Sequence, residues 1–376
     1  RKVTMIRVLH VIASLHFGGS QAFVMNLYQN IDRSKVQFDF VVIPEEKKDL
    51  YDVVEKMGGK IYVMPRYNIL NHFSYVNWWN DFFNAHREYK ILHGHVRSTG
   101  AIFLSIAKKH GLVTVSHSHS TSNGKGLSGY IKDLMQLPIR NIADYFFACS
   151  EDAGKWLFGE QVIKQSNYKV IPNGICIDKF KFNLQKRKYI RRELGIQPDE
   201  IVIGHVGRFV KAKNHEFLLK LFATYTNQNN KSRLLLLGDG ELLPEIKRLS
   251  MELGIEDKVL FLGSKFNTED FYQAMDAFVF PSLWEGLGIV AIEAQANGLP
   301  CVVSNHIPSE AVVTDNVVSL SLACINDWVR ELQKIKIREY NGISLCNDGR
   351  LLHYDMKDIS KKMQQFYLSI VEGKNE

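Results

Sequence analysis

The residues best suited to chemistry lie in the segment 281–305, PSLWEGLGIVAIEAQANGLPCVVSN. A short apolar run, AFVF, leads into a Pro-Ser turn, a glycine-containing loop and then a helical pattern. Glycines before a helix let an anion approach the backbone, and the free amides of the first helical turn point towards it. The sequence therefore predicts a phosphate-binding loop at the start of this helix, formed by Gly286, Leu287, Gly288 and Ile289.

Two carboxylates accompany this loop. Glu293 lies about one and a half turns into the predicted helix, within reach of the ribose of a bound nucleotide. A carboxylate can accept hydrogen bonds from both hydroxyls of a cis-diol. Glu285 is on the loop itself, where it could hold hydroxyls of a sugar beyond the phosphates. A single Glu on a helix is usually solvated, but small and apolar residues surround Glu293, and an unpaired buried carboxylate would be costly.

Two acids beside a diphosphate would repel it, so the interpretation requires nearby cations. The segment 203–219, IGHVGRFVKAKNHEFLL, places Arg208 just after a predicted strand and Lys213 before the next helix. A guanidinium and an ammonium could neutralise a nucleoside diphosphate as it leaves a glycosidic carbon. A metal ion fills this electrostatic role in some transferases.

Two His-x-His pairs occupy the first half of the chain, His93 with His95 and His117 with His119. Alternate residues of a strand point to the same side, and each pair lies where a predicted strand ends, the place where ligands gather in parallel sheets. Such pairs also bind zinc, but no carboxylate or cysteine lies close by in sequence, so we predict no metal site. For His93 and His95 we expect hydrogen-bonded side chains in a cleft between domains.

The elements that must position these residues alternate along the chain. Short β-branched and apolar runs alternate with longer amphipathic ones, which is typical of βαβ units with a parallel sheet. Strands are predicted at 6–13, 38–43, 60–64, 91–93, 113–117, 145–149 and 169–171, then at 201–206, 233–237, 259–262, 277–280 and 301–304. Helices are predicted at 21–29, 216–227, 242–253, 268–275 and 288–297.

The chain is long enough for two α/β domains, because 376 residues exceed what one core usually serves. The basic segment 181–192, KFNLQKRKYIRR, separates the two strand series, so we place the N-terminal domain at 1–180 and the C-terminal domain at 181–355. Apolar residues at helical spacing predict a last helix, within 356–376, that could pack on either domain.

Composition narrows the class of protein. No apolar run approaches the roughly 18 residues of a membrane span. The five cysteines form no Cys-x-x-Cys pair, so neither disulfides nor a zinc knuckle is expected, and the predicted location is the cytoplasm. The net charge of +7 suits anionic partners such as nucleotides, and no nucleic-acid-binding motif is present.

The segment 67–89 is unusually aromatic. Trp78, Trp79, Phe82 and Phe83 are spaced for one face of a helix. We interpret this helix as part of the N-terminal core. The alternative is a patch that contacts a membrane or a lipid-linked acceptor.

The motifs, taken together, resemble family 4 of the retaining glycosyltransferases, which have the GT-B architecture. The matching segments cover nearly the whole chain in the expected order: GGSQ at 18–21, VIPNGICIDKF at 170–180, VGRFVKAKNHEFLL at 206–219, LLLLGDGE at 234–241, and the pair Glu285 and Glu293. The resemblance implies two Rossmann-like domains whose parallel sheets face across a cleft, with the terminal helix 356–376 returning to the N-terminal domain.

The resemblance also implies roles for individual residues. Arg208 and Lys213 would bind the donor diphosphate, Glu293 its ribose and Glu285 its sugar. Gly18 and Gly19 would form an N-terminal loop that closes over the site. A histidine would lie near the donor sugar and the acceptor, His117 in preference to His119, and the polar segment 120–126 would meet the acceptor. Asn214 stands where glycine is common and is expected to alter the local turn.

The implied reaction is a metal-free transfer of a hexosyl group with retention of anomeric configuration. The donor would be a UDP-sugar, with GDP as the alternative base, and the acceptor a saccharide or lipid-linked saccharide. The sequence resembles those of bacterial enzymes that build capsular or exopolysaccharide repeat units. The resemblance implies a cytoplasmic enzyme with peripheral contact at the inner face of the membrane.

Three other functions compete with this one. GLGIVA matches the GxGxxA pattern of dinucleotide-dependent oxidoreductases, but several residues separate the strand from the first glycine. The next strand also ends in Ser304-Asn305, where such enzymes carry an acid. A sugar-nucleotide epimerase and a non-catalytic sugar-nucleotide sensor are the remaining alternatives.

Overall fold

The computed structural model describes residues 5–15, 19–44, 50–119, 127–265, 267–338 and 349–373 of the chain. They divide into two units. The N-terminal unit contains the described residues up to Gly174 and those from Met356 onward, and the C-terminal unit runs from Ile175 to Asp355.

The N-terminal unit is built on a seven-stranded, all-parallel sheet. Its strands are β1 Ile6–Ile12, β2 Val36–Val42, β3 Ile61–Val63, β4 Ile91–Gly94, β5 Val113–Ser118, β6 Tyr145–Ala148 and β7 Tyr168–Val170. They lie in the order β3-β2-β1-β4-β5-β6-β7, a doubly wound arrangement whose order reverses between β1 and β4. The whole of β2 is buried, as expected of a strand covered on both faces.

Seven helices belong to the described part of this unit. They are α1 Gly19–Asn30, α2 Tyr51–Lys56, α3 His72–Ala85, α4 Gly100–Lys109, α5 Leu127–Gln136, α6 Glu151–Val162 and, after the C-terminal unit, α15 Met356–Glu372. The core-helix interpretation of the aromatic segment is confirmed, because Trp79, Phe82 and Phe83 of α3 are buried beside Phe103 of α4.

The C-terminal unit repeats the plan with six parallel strands in the order β10-β9-β8-β11-β12-β13. They are β8 Ile201–Val206, β9 Ser232–Leu237, β10 Val259–Phe261, β11 Ala277–Phe280, β12 Cys301–Ser304 and β13 Val317–Leu320. Its helices are α7 Ile177–Phe180, α8 Leu184–Glu193, α9 His215–Thr226, α10 Leu243–Glu252, α11 Thr268–Tyr272, α12 Ile289–Ala296, α13 Ile325–Leu332 and α14 Gly349–Leu352.

Each predicted strand is present, with ends displaced by at most two residues. The sequence missed β13, which is short, lies at the edge of the sheet and is only partly buried. It also placed the boundary after residue 180, whereas the contacts place it after Gly174. The reason is that Ile175, Ile177 and Phe180 are buried in the core of the C-terminal unit.

The basic segment 181–192 was predicted as a separator between domains and is largely helical. It forms most of α8, and Arg187 and Arg191 are buried there against Asp276, which precedes β11. From the sequence alone, these two arginines are expected to be solvated, because the acid that pairs with them is distant along the chain. No helix in the described part of the chain has the length and hydrophobicity needed to cross a bilayer.

Candidate functional site

The predicted donor-binding residues lie where the C-terminal sheet reverses its strand order. β8 and β11 are neighbours there, and the loops that follow them carry the predicted cations and the glycine loop. The crevice outside such a switch point is where open parallel sheets bind ligands. The amide of Leu283 donates to the carbonyl of Ala212 at 2.8 Å, and the side-chain amide of Asn214 donates to the carbonyl of Pro281 at 3.1 Å. The two loops are therefore joined.

Asn214 forms the turn between the cationic loop and α9. Its φ of 55° and ψ of 46° are left-handed, and no other non-glycine residue in the described ranges has a positive φ. Asn tolerates this region better than most residues do. Asn214 thus adopts a backbone conformation that glycine also adopts readily. The turn therefore does not need to change, as the sequence analysis expected, for Asn to stand where glycine is common.

Lys213 and Glu285 form an ion pair, with Nζ 2.6 Å from Oε1. Their side chains are 18% and 9% exposed, and the ammonium also lies 4.9 Å from the centre of the Phe280 ring. The sequence assigned the two residues to different parts of the donor. In the structure each neutralises the other, so a bound diphosphate would share Lys213 with Glu285.

Arg208 directly follows the loop glycine after β8 and is exposed. Its side chain makes no ion pair or hydrogen bond with any other described residue. Since Lys213 is paired, Arg208 contributes positive charge that no described acid compensates, as does the exposed Lys211 farther along this loop. A planar guanidinium in that position can bind a phosphate through two parallel hydrogen bonds.

Two glycines have backbone requirements at this site. Gly288 caps α12 with a φ of 81°, and a Cβ on it would lie 3.1 Å from Cε1 of Phe280. Gly238, in the loop after β9, would place a Cβ 2.0 Å from the carbonyl oxygen of Gly207. Only glycine lets the β9 loop touch the Arg208 loop so closely.

Glu293 lies on α12, in its second turn, and is partly buried. Desolvation raises its pKa to about 7. The Tyr272 hydroxyl donates to Oε2 at 2.8 Å and opposes this rise, while the charge of Glu269 adds to it. No cation among the described residues forms an ion pair with this carboxylate. The site therefore keeps an acceptor group with capacity for further hydrogen-bond donors.

Sequence reasoning missed the side chains that contact the predicted site residues from within the C-terminal unit. Tyr272 orients Glu293, and the Phe280 ring packs against the Lys213 ammonium and beside Gly288. His205 donates from Nδ1 to the carbonyl of Val279 at 2.8 Å, and burial lowers its pKa to about 4. These residues lie within apolar strands or helices, where their types match ordinary core positions and give no separate signal.

Five histidines form an array in the N-terminal unit, on β1, on and after β4, and on and after β5; four are buried and His119 is half-buried. The ring nitrogens pair as His10 with His95 at 3.0 Å, His95 with His119 at 2.8 Å and His93 with His117 at 3.2 Å. His93 also hydrogen-bonds the hydroxyl of Tyr367 at 2.7 Å. The prediction of hydrogen-bonded His93 and His95 is confirmed, and the sequence missed His10 because it is a lone histidine in a strand.

Burial lowers the pKa of every member of this array, to about 3 for His10 and about 4 for His119. The imidazoles are therefore neutral at pH 7. Ring nitrogens of His10, His93 and His95 lie within 4.8 Å of one another, as do those of His95, His117 and His119. Several of these nitrogens already bond to one another, so the geometry is that of a hydrogen-bonded array.

The remaining predicted residues have a mixed outcome. Gly18 and the polar segment 120–126 lie outside the described residues, and Gly19 begins α1. His117 is fully buried, whereas His119 is partly exposed, and both contact the ring of Phe23. The roles predicted for these residues stay predictions.

Arg97 is a further residue that the sequence analysis did not select. It follows β4, and its guanidinium lies 4.8 Å from the centre of the Trp156 ring. Its Nη1 is buried and has no hydrogen-bond partner among the described residues. Burial lowers its pKa, and the negative charge of Asp133 partly offsets this effect. An arginine just after a strand, the signal used for Arg208, could have identified it.

Comparisons with known proteins cover both units. Residues 17–179 match the family described as Glycosyltransferase Family 4, and residues 186–335 match Glycosyl transferases group 1. A Bacillus subtilis (strain 168) protein named as glycosyltransferase EpsF is 36% identical over 307 residues, which are 80% of this chain and 79% of that protein. An Escherichia coli protein named UDP-Gal:alpha-D-GlcNAc-diphosphoundecaprenol alpha-1,3-galactosyltransferase is 25% identical, with 98% of both chains covered.

Among solved structures, Anabaena HepE in complex with UDP and glucose resembles this chain with a TM-score of 0.74. The similarity covers 97% of this chain and 100% of that one at 18% identity, and it supports the fold alone. The family matches, the relative at 36% identity and the two parallel-sheet units lead to one conclusion. The chain is a glycosyltransferase that acts on nucleotide sugars and belongs to family 4, with the GT-B fold.

Proposed function

We propose that this enzyme is a retaining, metal-independent glycosyltransferase that takes its sugar from a UDP-sugar held by the C-terminal unit. The observation that carries the proposal is the charge arrangement at the switch point. Arg208 is exposed and forms no ion pair with a described residue, and it lies on the loop that carries Lys213, the partner of Glu285. An ionisable Glu293 lies on the helix that follows the glycine loop.

The diphosphate of the donor would bind to Arg208 and to the amides at the start of α12. Negative charge builds on the diphosphate as the bond to the sugar breaks, so groups already directed at it stabilise the transition state more than the ground state. Arg208 needs no rearrangement of a partner to do this. Lys213 adds its charge when the diphosphate competes with Glu285 for the ammonium.

The two acids would bind the ribose and the transferred sugar. Glu293 would accept hydrogen bonds from the ribose hydroxyls, and Tyr272 would keep its carboxylate oriented. Glu285 would hold hydroxyls of the transferred sugar. The two cations fill the electrostatic role that a divalent metal fills in other transferases, which is why we propose a metal-free reaction.

The acceptor would be a saccharide or lipid-linked saccharide used in surface polysaccharide synthesis. The name of the Escherichia coli relative, which specifies UDP-Gal and a diphosphoundecaprenol acceptor, supports both the base and this acceptor class. On the N-terminal unit, His117 or His119 would contact the acceptor, and the unpaired Nη1 of Arg97 would suit a phosphate on it.

The test is transfer from a panel of UDP-sugars, with EDTA present and a bacterial membrane lipid extract as the acceptor source. We expect a glycosylated product with the anomeric configuration of the donor, determined by NMR. Arg208→Ala should lower the rate constant of transfer about 100-fold or more, on the order of 3 kcal/mol. Lys211→Ala is the matched control, an exposed cation on the same loop, and should turn over normally.

Near-normal turnover of Arg208→Ala would contradict the assignment of that residue. Loss of transfer in EDTA, restored by a divalent cation, would contradict the metal-free reaction. Release of UDP together with a free sugar that is the epimer of the donor sugar would indicate an epimerase instead.

A further inference from the structure

Large apolar side chains are exposed on two segments of the N-terminal unit. The first is residues 69–73, a 3₁₀ turn leading into α3, where Leu70 is 98% and Phe73 is 83% exposed and Ile69 is exposed as well. The second is α5 and the turn after it, where Tyr130, Ile131, Leu134 and Leu137 are exposed. Apolar groups grouped in this way on a protein surface usually mark an interaction site.

The two segments border the same cavity, which has a volume of about 420 Å³. Ile69 of the first segment lines it, and so do Ile131 and Met135 of α5. The buried ring of Tyr75 contributes to the lining. The exposed side chains and the cavity therefore form one continuous surface, which we call the apolar face.

From Tyr130 onward, where the structure describes the side chains of α5, most of the exposed ones are apolar. Its exposed side carries Tyr130, Ile131 and Leu134, while the amide side chain of Gln136 is buried. The acid of this helix, Asp133, is half-buried and accepts a hydrogen bond from the side-chain amide of Gln136 at 3.3 Å. A helix that exposes large apolar side chains beside a cation matches helices that lie in a membrane interface.

The charges at the apolar face are positive. Arg66 and Lys132 are exposed and line the cavity, and the segment 64–73, MPRYNILNHF, contains no acid. Cations that flank an apolar surface complement the negative headgroups of anionic lipids, while their stems cover apolar area. A second copy of the chain fits less well, because a two-fold pair would bring the same cations together, and the described residues that line the cavity include no acid to pair them.

We propose that the apolar face docks onto the surface of an anionic phospholipid bilayer. Leu70, Phe73 and the outer side of α5 enter the interface, and Arg66 and Lys132 meet the headgroup phosphates. Docking itself does not depend on the donor chemistry. Its use, to bring the enzyme to a lipid-linked acceptor, rests on the proposed function.

The experiment is co-sedimentation of the full chain with vesicles of phosphatidylcholine containing phosphatidylglycerol, and with vesicles of phosphatidylcholine alone. We expect binding to the anionic vesicles that weakens as salt is raised. The double variant Leu70→Ser, Phe73→Ser should lower the partition coefficient at least tenfold. Lys132→Glu should weaken binding to the anionic vesicles only. Met251→Ser is the control, because it removes a similarly exposed apolar side chain from α10 of the C-terminal unit.

Equal binding by the double variant and the wild type, or no binding of the wild type to anionic vesicles, would overturn the proposal. A wild-type dimer in light scattering that the double variant converts to a monomer, without vesicle binding, would assign the face to self-association instead. Thermal stabilisation by UDP should be unchanged in all these variants. If UDP does not stabilise proteins that still bind vesicles, the result would contradict the donor assignment and leave the docking proposal supported.

Discussion

Lys213 and Glu285 are 72 residues apart in the chain and form an ion pair in the structure. The sequence predicts that both lie at the ends of neighbouring strands, because each follows a recognisable strand. It does not predict that they neutralise each other, because the pairing depends on how two loops are joined. The pairing changes what substitution of Glu285 should do.

Glu293→Gln should weaken UDP itself, because an amide cannot accept hydrogen bonds from both ribose hydroxyls as a carboxylate does. Glu285→Gln should weaken a UDP-sugar but not UDP, since it releases Lys213 from its partner to meet the diphosphate. Titration calorimetry with UDP and with the UDP-sugar separates the two effects. A Glu285→Gln variant that loses UDP as strongly as Glu293→Gln would show that the roles of the two acids are not distinct.

The pH dependence of UDP binding should report Glu293. Its pKa is raised from 4.5 to about 7, so its contribution to folding stability is present below 4.5 and is lost as pH rises through about 7. Binding by the ribose hydroxyls favours the ionised carboxylate, so we expect UDP affinity to rise between about pH 6 and pH 8, with release of a proton. Calorimetry in two buffers of different ionisation enthalpy measures that proton.

Glu293→Gln is the control for this effect. The terminal phosphate of UDP also titrates near pH 6, and the variant should retain only that dependence. Identical pH profiles for the wild type and the variant would contradict the assignment of Glu293 to the ribose.

At the scale of elements, α8 is held by a buried ionic network. Asp276 accepts hydrogen bonds from Arg187 at 2.5 Å and Arg191 at 3.2 Å, and also from the amides of Val202 at 2.8 Å and Arg338 at 2.7 Å. The network ties the helix to the starts of β8 and β11, the two strands at the switch point. It therefore supports the loops of the donor site from the opposite end of the sheet.

Asp276→Asn should destabilise the C-terminal unit by about 3–5 kcal/mol, because it leaves two buried guanidinium groups without a counter-charge. Lys188→Ala, an exposed cation on the same helix, should change the free energy of unfolding by less than about 0.5 kcal/mol. Urea unfolding followed by circular dichroism measures both. Equal stability of the two variants would show that the network does not hold α8.

The elements also show where sequence reasoning succeeds. Buried parallel strands such as β8 and β11 are short, mainly apolar runs, and their bounds were predicted without error. The helix α8 was not predicted, because its basic segment, which includes Arg187 and Arg191, has the composition of a solvated linker. A local sequence pattern predicts an element that packs against the core through many apolar residues. It does not predict an element whose burial depends on one side chain that is distant in the sequence.

At the scale of the whole molecule, the chain consists of two doubly wound units, each with a core of its own. The prediction of two such units follows from the alternation of strand and helix patterns, and the family is identified by motifs at the carboxyl ends of strands. The five-histidine array needed the structure, because three separate strands bring its members together.

The central claim is that the C-terminal unit binds UDP without a metal ion. The most direct measurement is thermal unfolding of the protein in EDTA with UDP, with NAD and without nucleotide. UDP at about 100 times its dissociation constant should add about 2.7 kcal/mol of stability and raise the midpoint by a few degrees, while NAD should have no effect. Stabilisation by NAD alone, or stabilisation by UDP that EDTA abolishes, would contradict the account.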